Sequence, residues 1–439
     1  MAEENAFPSA PRAAALLSPG AGAAGRPWTE RVARRLVLDR LRWIESGRLE
    51  VRENGAVHVF GGPAGDPPLA ARMTVSDPAC WDAFAWGGSI GAAEAYTEGW
   101  WVSQDPTAVV RVLARNREAL ERVDGGGAAV PKPLRRIHHL LRRNTRAGSR
   151  RNIAAHYDLG NAFFRVFLDP TMTYSCGVFD REDASLEEAQ RAKLELVCRK
   201  LDLGPHDRLV EIGSGWGSFA IHAAGNYGCR VVTTTISEQQ FRYARRVVAE
   251  AGLAGRVTVL REDYRALAAR FPGAFDKLAS IEMIEAVGHD YLPAYLRTVS
   301  RLLAQDGLAL LQAILIPDQR YERYRRSVDF IQRHIFPGGL LPSLARIQAC
   351  AAEASDLRLL DLEDLTPHYA RTLAAWRARF DANEDRIAAL GLPPAERRKW
   401  RFYFAYCEGG FRERTIASAQ LLYAKPGFRG AVPVGRRPR

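Results

Sequence analysis

The stretch that most constrains what this chain can fold into is Arg208-Leu-Val-Glu-Ile-Gly-Ser-Gly-Trp-Gly-Ser218, an apolar strand that runs into three alternating glycines and then opens a helix. Gly213, Gly215 and Gly217 allow a sharp turn and a close approach to a ligand, because a side chain at any of them would take up the space that a nucleotide needs. A dinucleotide fingerprint would read G-x-G-x-x-G and place an acid on the next strand to hold the ribose. Here the pattern is E-x-G-x-G-x-G, with Glu211 inside the first strand, and the next strand, 229–236, leads into Thr235-Ile-Ser-Glu-Gln-Gln240. Glu211 can face a charged amino-acid moiety, while a hydroxyl at Thr235 and an amide at Gln240 can hold ribose oxygens where a carboxylate normally would. The plainer alternative is a glycine turn that only packs a helix on a sheet.

Strands at 207–213, 229–236, 256–262, 276–282 and 307–315 alternate with helices such as 237–252 and 291–304, the order that makes a parallel sheet covered on both faces. Two further strands, 357–362 and 416–423, flank a long, charged, aromatic helical region at 368–413. Residues 152–426 therefore read as one catalytic domain. Ahead of it, 28–124 reads as a small mixed domain. It has an arginine-rich amphipathic helix from Trp28 to Ile44, a hairpin turning at Asn54-Gly55, a third strand at 69–75 and helices beyond. Residues 1–27, rich in Ala, Pro and Gly, and 427–439, rich in Pro, Gly and Arg, read as disordered tails, the first without the basic leader of a signal peptide.

A net charge of +12 asks for an anionic partner. Its densest source is 125–151, a glycine-rich break followed by a basic linker helix. Leu134, Ile137, Leu140 and Leu141 fall on one side of that helix, and Arg135, Arg136, Arg142 and Arg143 on the other. Beside anionic lipid each such cation is worth up to roughly 1 kcal/mol; the alternative is a linker whose apolar stripe packs on its own protein. The six cysteines are scattered with no C-x-x-C pair, so no metal site or disulfide framework is expected, and a reducing cytoplasm fits. No apolar run approaches the roughly eighteen residues that span a bilayer.

Beyond the glycine loop the motifs become specific. Asn152-Ile-Ala-Ala-His-Tyr-Asp-Leu-Gly-Asn-Ala-Phe-Phe-Arg-Val-Phe-Leu-Asp-Pro-Thr-Met-Thr-Tyr-Ser-Cys-Gly177, Ser280-Ile-Glu-Met-Ile-Glu-Ala-Val-Gly288, Phe336-Pro-Gly-Gly339 and Phe404-Ala-Tyr-Cys-Glu-Gly-Gly-Phe-Arg-Glu-Arg414 closely resemble the signatures of the cyclopropane-fatty-acyl-phospholipid synthases and of the related mycolic acid cyclopropane synthases. The resemblance covers essentially all of 152–426, and Gly88 to Trp101 resembles the N-terminal domain of the phospholipid enzymes. It implies an α/β, class I S-adenosylmethionine (SAM)-dependent methyltransferase: a Rossmann-like, seven-stranded, mostly parallel sheet with helical lipid-binding insertions and a small α+β domain for lipid binding and dimerisation.

The same resemblance implies SAM as cofactor, with Tyr174, Ser175, Glu211, Gly213, Gly215, Gly217, Thr235, Ser237, Gln240, Asp263 and Tyr264 around it. Asp263 would accept from the adenine amino group, or is an ordinary loop acid. It also implies a bicarbonate ion as base, at positions that match Cys176, Glu285, Ile314 and Tyr369. The family's histidine position is Gln312, which donates a hydrogen bond but relays no proton. Glu285 can itself be the base where a dry pocket raises its pKa. Glu282 and His156 read as structural, and Cys176 has a plain alternative as a small buried residue.

The implied activity adds a methylene carbon from SAM to the cis double bond of an unsaturated phospholipid acyl chain, through a carbocation and a deprotonation, to give a cyclopropane ring. Aromatic faces stabilise such a cation by up to about 2 kcal/mol each; the candidates are Tyr174, Phe330, Phe336, Tyr369 and Trp376. An alternative with the same chemistry leaves a methylene branch instead of a ring. A nucleic-acid methyltransferase would explain the charge, but no Asn/Asp-Pro-Pro-aromatic motif is present; a non-catalytic lipid-surface protein is the remaining alternative. The expected partners are unsaturated phospholipid, an anionic membrane surface through the linker helix, and a second copy of the chain, but no nucleic acid; the expected location is cytoplasmic, peripheral to the inner face of the membrane.

Overall fold

The computed structural model describes residues 27–62, 68–122 and 159–432. The expected linker helix at 125–151, His156 and most of both terminal tails lie outside the described residues. Near the C-terminus, Gly427 N–H donates to Gln305 O at 2.8 Å, so the structured chain reaches past the expected boundary at 426.

Strands β1 (Arg48–Glu53) and β2 (Ala56–Gly61) form the hairpin that Asn54-Gly55 predicts: both turn residues have positive φ, 44° and 79°. Strand β3 (Ala70–Val75) pairs parallel with β1, and the short β4 (Trp101–Val102) closes a four-stranded sheet of order β2-β1-β3-β4. The first helix, Pro27–Leu41, has two apolar stripes rather than one. Ala33, Val37 and Leu41 are buried, whereas Trp28, Val32 and Leu36, four residues apart, are exposed.

The second sheet has seven strands in the order β10-β11-β9-β8-β5-β6-β7. These are β5 (Arg208–Ile212), β6 (Arg230–Thr234), β7 (Val257–Leu260), β8 (Phe275–Ile281), β9 (Leu303–Leu315), β10 (Arg358–Asp364) and β11 (Ala417–Ala424). β5, β6, β7, β8 and β9 run parallel, and β11 pairs antiparallel with β9 and β10. This is the mostly parallel, Rossmann-like sheet of class I methyltransferases. Leu209, Val210 and Ile212 of β5 are all buried, as expected for a central strand covered on both faces. The strand order reverses at β5, between β8 and β6, so a crevice opens at the carboxyl ends of these strands.

The N-terminal elements share a core with the helical insertion of the larger unit. Helix Pro394–Arg412 lies against them: Phe402 packs on Tyr96 and Trp101 at ring distances of 5.2 and 6.1 Å, and Glu408 accepts from Thr107 Oγ1 at 3.0 Å. Arg111 and Arg115 both pair with Glu413. A Cβ at Gly409 would stand 2.6 Å from Val110 Cγ1, so only glycine allows the two helices to approach this closely.

Candidate active site

A cavity of about 1540 Å³ starts at the glycine loop and ends among the N-terminal elements. Its polar end is built where β5 gives way to Gly213, Gly215 and Gly217, whose φ angles are 98°, 49° and 95°. The three glycines serve different ends. Gly213 and Gly215 line the cavity, and a Cβ at Gly215 would meet no atom within 4 Å, so the backbone borders open space that a ligand can approach. Gly217 does not line the cavity; its Cβ would stand 3.3 Å from that of Ala244. It closes helix Ser218–Tyr227 onto helix Glu238–Glu250, a packing role and not the ligand contact expected.

Glu211 faces Thr233 across the β5–β6 pairing and accepts from its Oγ1 at 2.5 Å. Burial pushes its pKa up to about 7, against the pull of Thr233 and of Lys193. Thr235 Oγ1 donates to Gln240 Oε1 at 2.9 Å on the cavity wall. Ser237 caps helix Glu238–Glu250, accepting from Gln240 N–H at 3.3 Å, and does not line the cavity. Asp263 lines it, but Arg265 holds both of its oxygens, with 2.8 Å from Nε to Oδ1 and 2.6 Å from Nη2 to Oδ2; the carboxylate expected to meet an adenine amino group is an ion-paired helix cap. Tyr264 lines the cavity beside it, edge-on to Tyr295.

Lys193 is a residue that the sequence did not single out. It is 1% exposed, and its Nζ donates to Ser175 Oγ at 3.0 Å. Burial lowers its pKa to about 8, with Glu282, Cys176, Asp169 and Glu211 pulling the other way. A lysine in the charged helix Leu186–Lys200 carries no sequence signal of burial. The open loop, the Thr235–Gln240 pair, Tyr174, Ser175 and Lys193 offer hydroxyls, an amide, an aromatic ring and a cation. This donor set fits SAM, which has a carboxylate, two ribose hydroxyls and a purine.

The catalytic candidates gather beside this donor set, at the end of β8. Glu282 stands at their centre, with a φ of +51° that is strained for any residue with a side chain. Its Oε1 accepts from Cys176 N–H at 2.9 Å and from Gln312 Nε2 at 2.8 Å, and its Oε2 accepts from Tyr369 Oη at 2.6 Å. Gln312 is fully buried and is itself fixed by Gln420 Nε2, which donates to its Oε1 at 3.0 Å from the neighbouring β11. Burial raises the pKa of Glu282, while Tyr369, Cys176, Gln312 and Lys193 pull it down. Glu285 accepts from Ile314 N–H at 2.5 Å through Oε1, and its buried Oε2 has no partner among the described residues. Burial and the charge of Glu282 push the Glu285 pKa up to about 8.

Glu282, Glu285, Ile314 and Tyr369 line the cavity, whereas Cys176 and Gln312 stand behind its wall. The Cys176 thiol points to the Gly177 and Leu365 carbonyls, so this residue serves the site through its backbone N–H. The residues expected to surround a bicarbonate ion thus converge, but on a carboxylate of the protein: three donors hold Glu282 and the fourth holds Glu285. As arranged, this donor set does not fit a bicarbonate ion. Of the aromatic candidates, Tyr174, Phe336 and Tyr369 line the cavity; Phe330 and Trp376 are core residues behind it.

The family model described as mycolic acid cyclopropane synthetase matches residues 144–421. A tuberculostearic acid methyltransferase of Mycobacterium tuberculosis is 38% identical over 358 residues, 77% of this chain and 80% of the relative. Cyclopropane mycolic acid synthase 1 of the same species is 37% identical over 270 residues, 60% of this chain and 92% of the relative. Among solved structures, a mycolic acid cyclopropane synthase complexed with SAH and CTAB superimposes with a TM-score of 0.58 at 35% identity, over 63% of this chain and 98% of that one.

Proposed function

Because the chain belongs to the mycolic acid cyclopropane synthetase family of SAM-dependent C-methyltransferases, we propose that it methylates a double bond of an unsaturated phospholipid acyl chain and leaves a methylene branch. The observation that carries this reading is the length of the cavity. Its far end is walled by Val37, Phe84, Ile90, Val110 and Leu113, so the N-terminal elements form part of the substrate site. The relative whose match extends over 77% of the chain is named a tuberculostearic acid methyltransferase, whereas the cyclopropane mycolic acid synthase matches 60%. These relatives favour the branch over the ring, which the motifs alone put first.

SAM, when bound, supplies an electrophilic sulfonium methyl. An isolated alkene is a weak nucleophile, so the protein's part is to align it and to keep water away. Val110, Leu113 and Phe402 give the channel apolar wall against which an acyl chain can lie. Tyr174, Phe336 and Tyr369 line the cavity and supply the aromatic rings that can stabilise a cation forming on the acyl chain. On the same reading the lipid is met at an anionic membrane surface on the inner face of the membrane, by a homodimer. No helix among the described residues is long and apolar enough to cross a membrane.

The test is proton NMR of lipids recovered after incubating the protein with SAM and monounsaturated phosphatidylglycerol vesicles. Vinylidene proton signals are expected. Upfield cyclopropane signals would replace the branch with the ring, and unmodified lipid would reject the substrate class.

A further inference from the structure

We infer that Glu282 is the resident anion of this site and its catalytic base, so that the reaction proceeds without bicarbonate or any other exchangeable ion. The inference rests on the methyl-transfer reading above and adds where the proton goes. Four observations carry it. Glu282 lines the cavity, while Cys176 and Gln312 stand behind the wall and aim their donors at it. Three donors on three separate elements converge on its two oxygens, at 2.6 to 2.9 Å; this is how a protein holds a carboxylate in its charged form. Its backbone sits at φ +51°, a conformation that persists only where the surroundings enforce it and that concentrates at working sites. The neighbouring Glu285 accepts from the Ile314 N–H through Oε1, and its buried Oε2 has no partner among the described residues, the environment of a neutral acid. Two carboxylates this close in sequence and space do not both ionise readily, and the distribution of donors assigns the charge to Glu282.

The step balances without an external reagent. For the branch, the methylated carbon passes its hydride to the neighbouring cationic carbon, which brings the cation next to the new methyl; a C–H bond of that methyl then breaks, and its electron pair becomes the C=C bond of the methylene branch. The proton passes to the Glu282 carboxylate, which releases it to water once the product leaves. If the chain closes a ring instead, the same electron pair forms the ring bond, and the base is the same.

The experiment compares the full chain in CO2-free buffer and in buffer with added bicarbonate, with SAM and monounsaturated phosphatidylglycerol vesicles. Wild-type turnover is expected to agree within about twofold; a larger dependence on bicarbonate overturns the inference. Glu282→Ala is expected to lose roughly 100-fold or more, the scale of general-base catalysis, and to recover at least about tenfold of that with formate or acetate. Glu282→Gln fills the same space with an amide and is expected to be equally slow and to show no recovery. SAM affinity by titration calorimetry and the melting temperature report whether each variant is folded. Turnover of folded Glu282→Ala near the wild-type level, or a loss that no small carboxylate restores while SAM still binds, overturns the assignment. A wild type that modifies no lipid in either buffer removes the methyl-transfer reading, and the inference with it.

Discussion

Replacing Tyr369 by phenylalanine removes one oxygen atom and tests how the carboxylate is held. The ring stacks on Phe411 at a centroid distance of 4.4 Å and 20° between planes, and stands edge-on to Trp376, so phenylalanine keeps the packing. What is lost is the 2.6 Å bond from Oη to Glu282 Oε2. A hydrogen bond to a charged group contributes about 1.5–3 kcal/mol. At 1.36 kcal/mol per pKa unit that loss raises the Glu282 pKa by roughly 1–2 units. The sign is fixed: Tyr369 donates to the ionised form, and its removal favours the protonated form. Lys193, Glu285 and the Cys176 and Gln312 donors stay in place. The acidic limb of the kcat/KM–pH profile is therefore expected to move upward by about 1–2 units, while SAM affinity above that limb is unchanged. An acidic limb that stays where it is, in a variant that folds and binds SAM, would refute the assignment of the charge to Glu282.

Two further perturbations probe the site and its loop. Glu285 has a folded pKa of about 8, raised by burial; its contribution to stability is complete below its unfolded value, about 4.3, and is lost as pH rises through about 8. Calorimetric melting between pH 6 and 9 should therefore fall less steeply for Glu285→Gln than for the wild type, and equal slopes would refute the shift. Gly215→Ala should weaken SAM binding at least tenfold, because its Cβ would enter the open side of the loop. Gly217→Ala should act chiefly on the melting temperature, because its Cβ meets Ala244; the reverse pattern, measured by calorimetry on both variants, would refute the division of roles.

Much of the fold was legible in the sequence because it is local. The seven strands of the large sheet are short stretches rich in apolar or β-branched residues, most of them alternating with helices, and each lies within a few residues of its expected range. The cofactor loop was legible for the same reason: glycine adopts the φ angles of 98° and 95° at Gly213 and Gly217 without the strain a side chain would add. The family resemblance, rather than any local pattern, implied that Glu285, Ile314, Gln312, Cys176 and Tyr369 share a site.

The sequence by itself determined the strand order along the chain, the glycine loop and several of the groups that meet at the site, but not Lys193 or the part taken by Glu282. Only the tertiary structure decided which of those groups occupies its centre. Glu282 and Glu285 are equivalent acids three residues apart in one dimension. β9, the Cys176 loop and helix Thr366–Ala382 deliver side-chain and backbone donors to both oxygens of one of them and leave one oxygen of the other without a partner among the described residues. The same holds for Lys193, which becomes a buried cation through what is folded over it. It holds also for the first helix, where periodicity revealed apolar residues but not which of two stripes would be covered. Side-chain spacing reports a local face, whereas burial, charge state and hydrogen-bond partners are set by segments distant in the chain, and these enter only when the core closes.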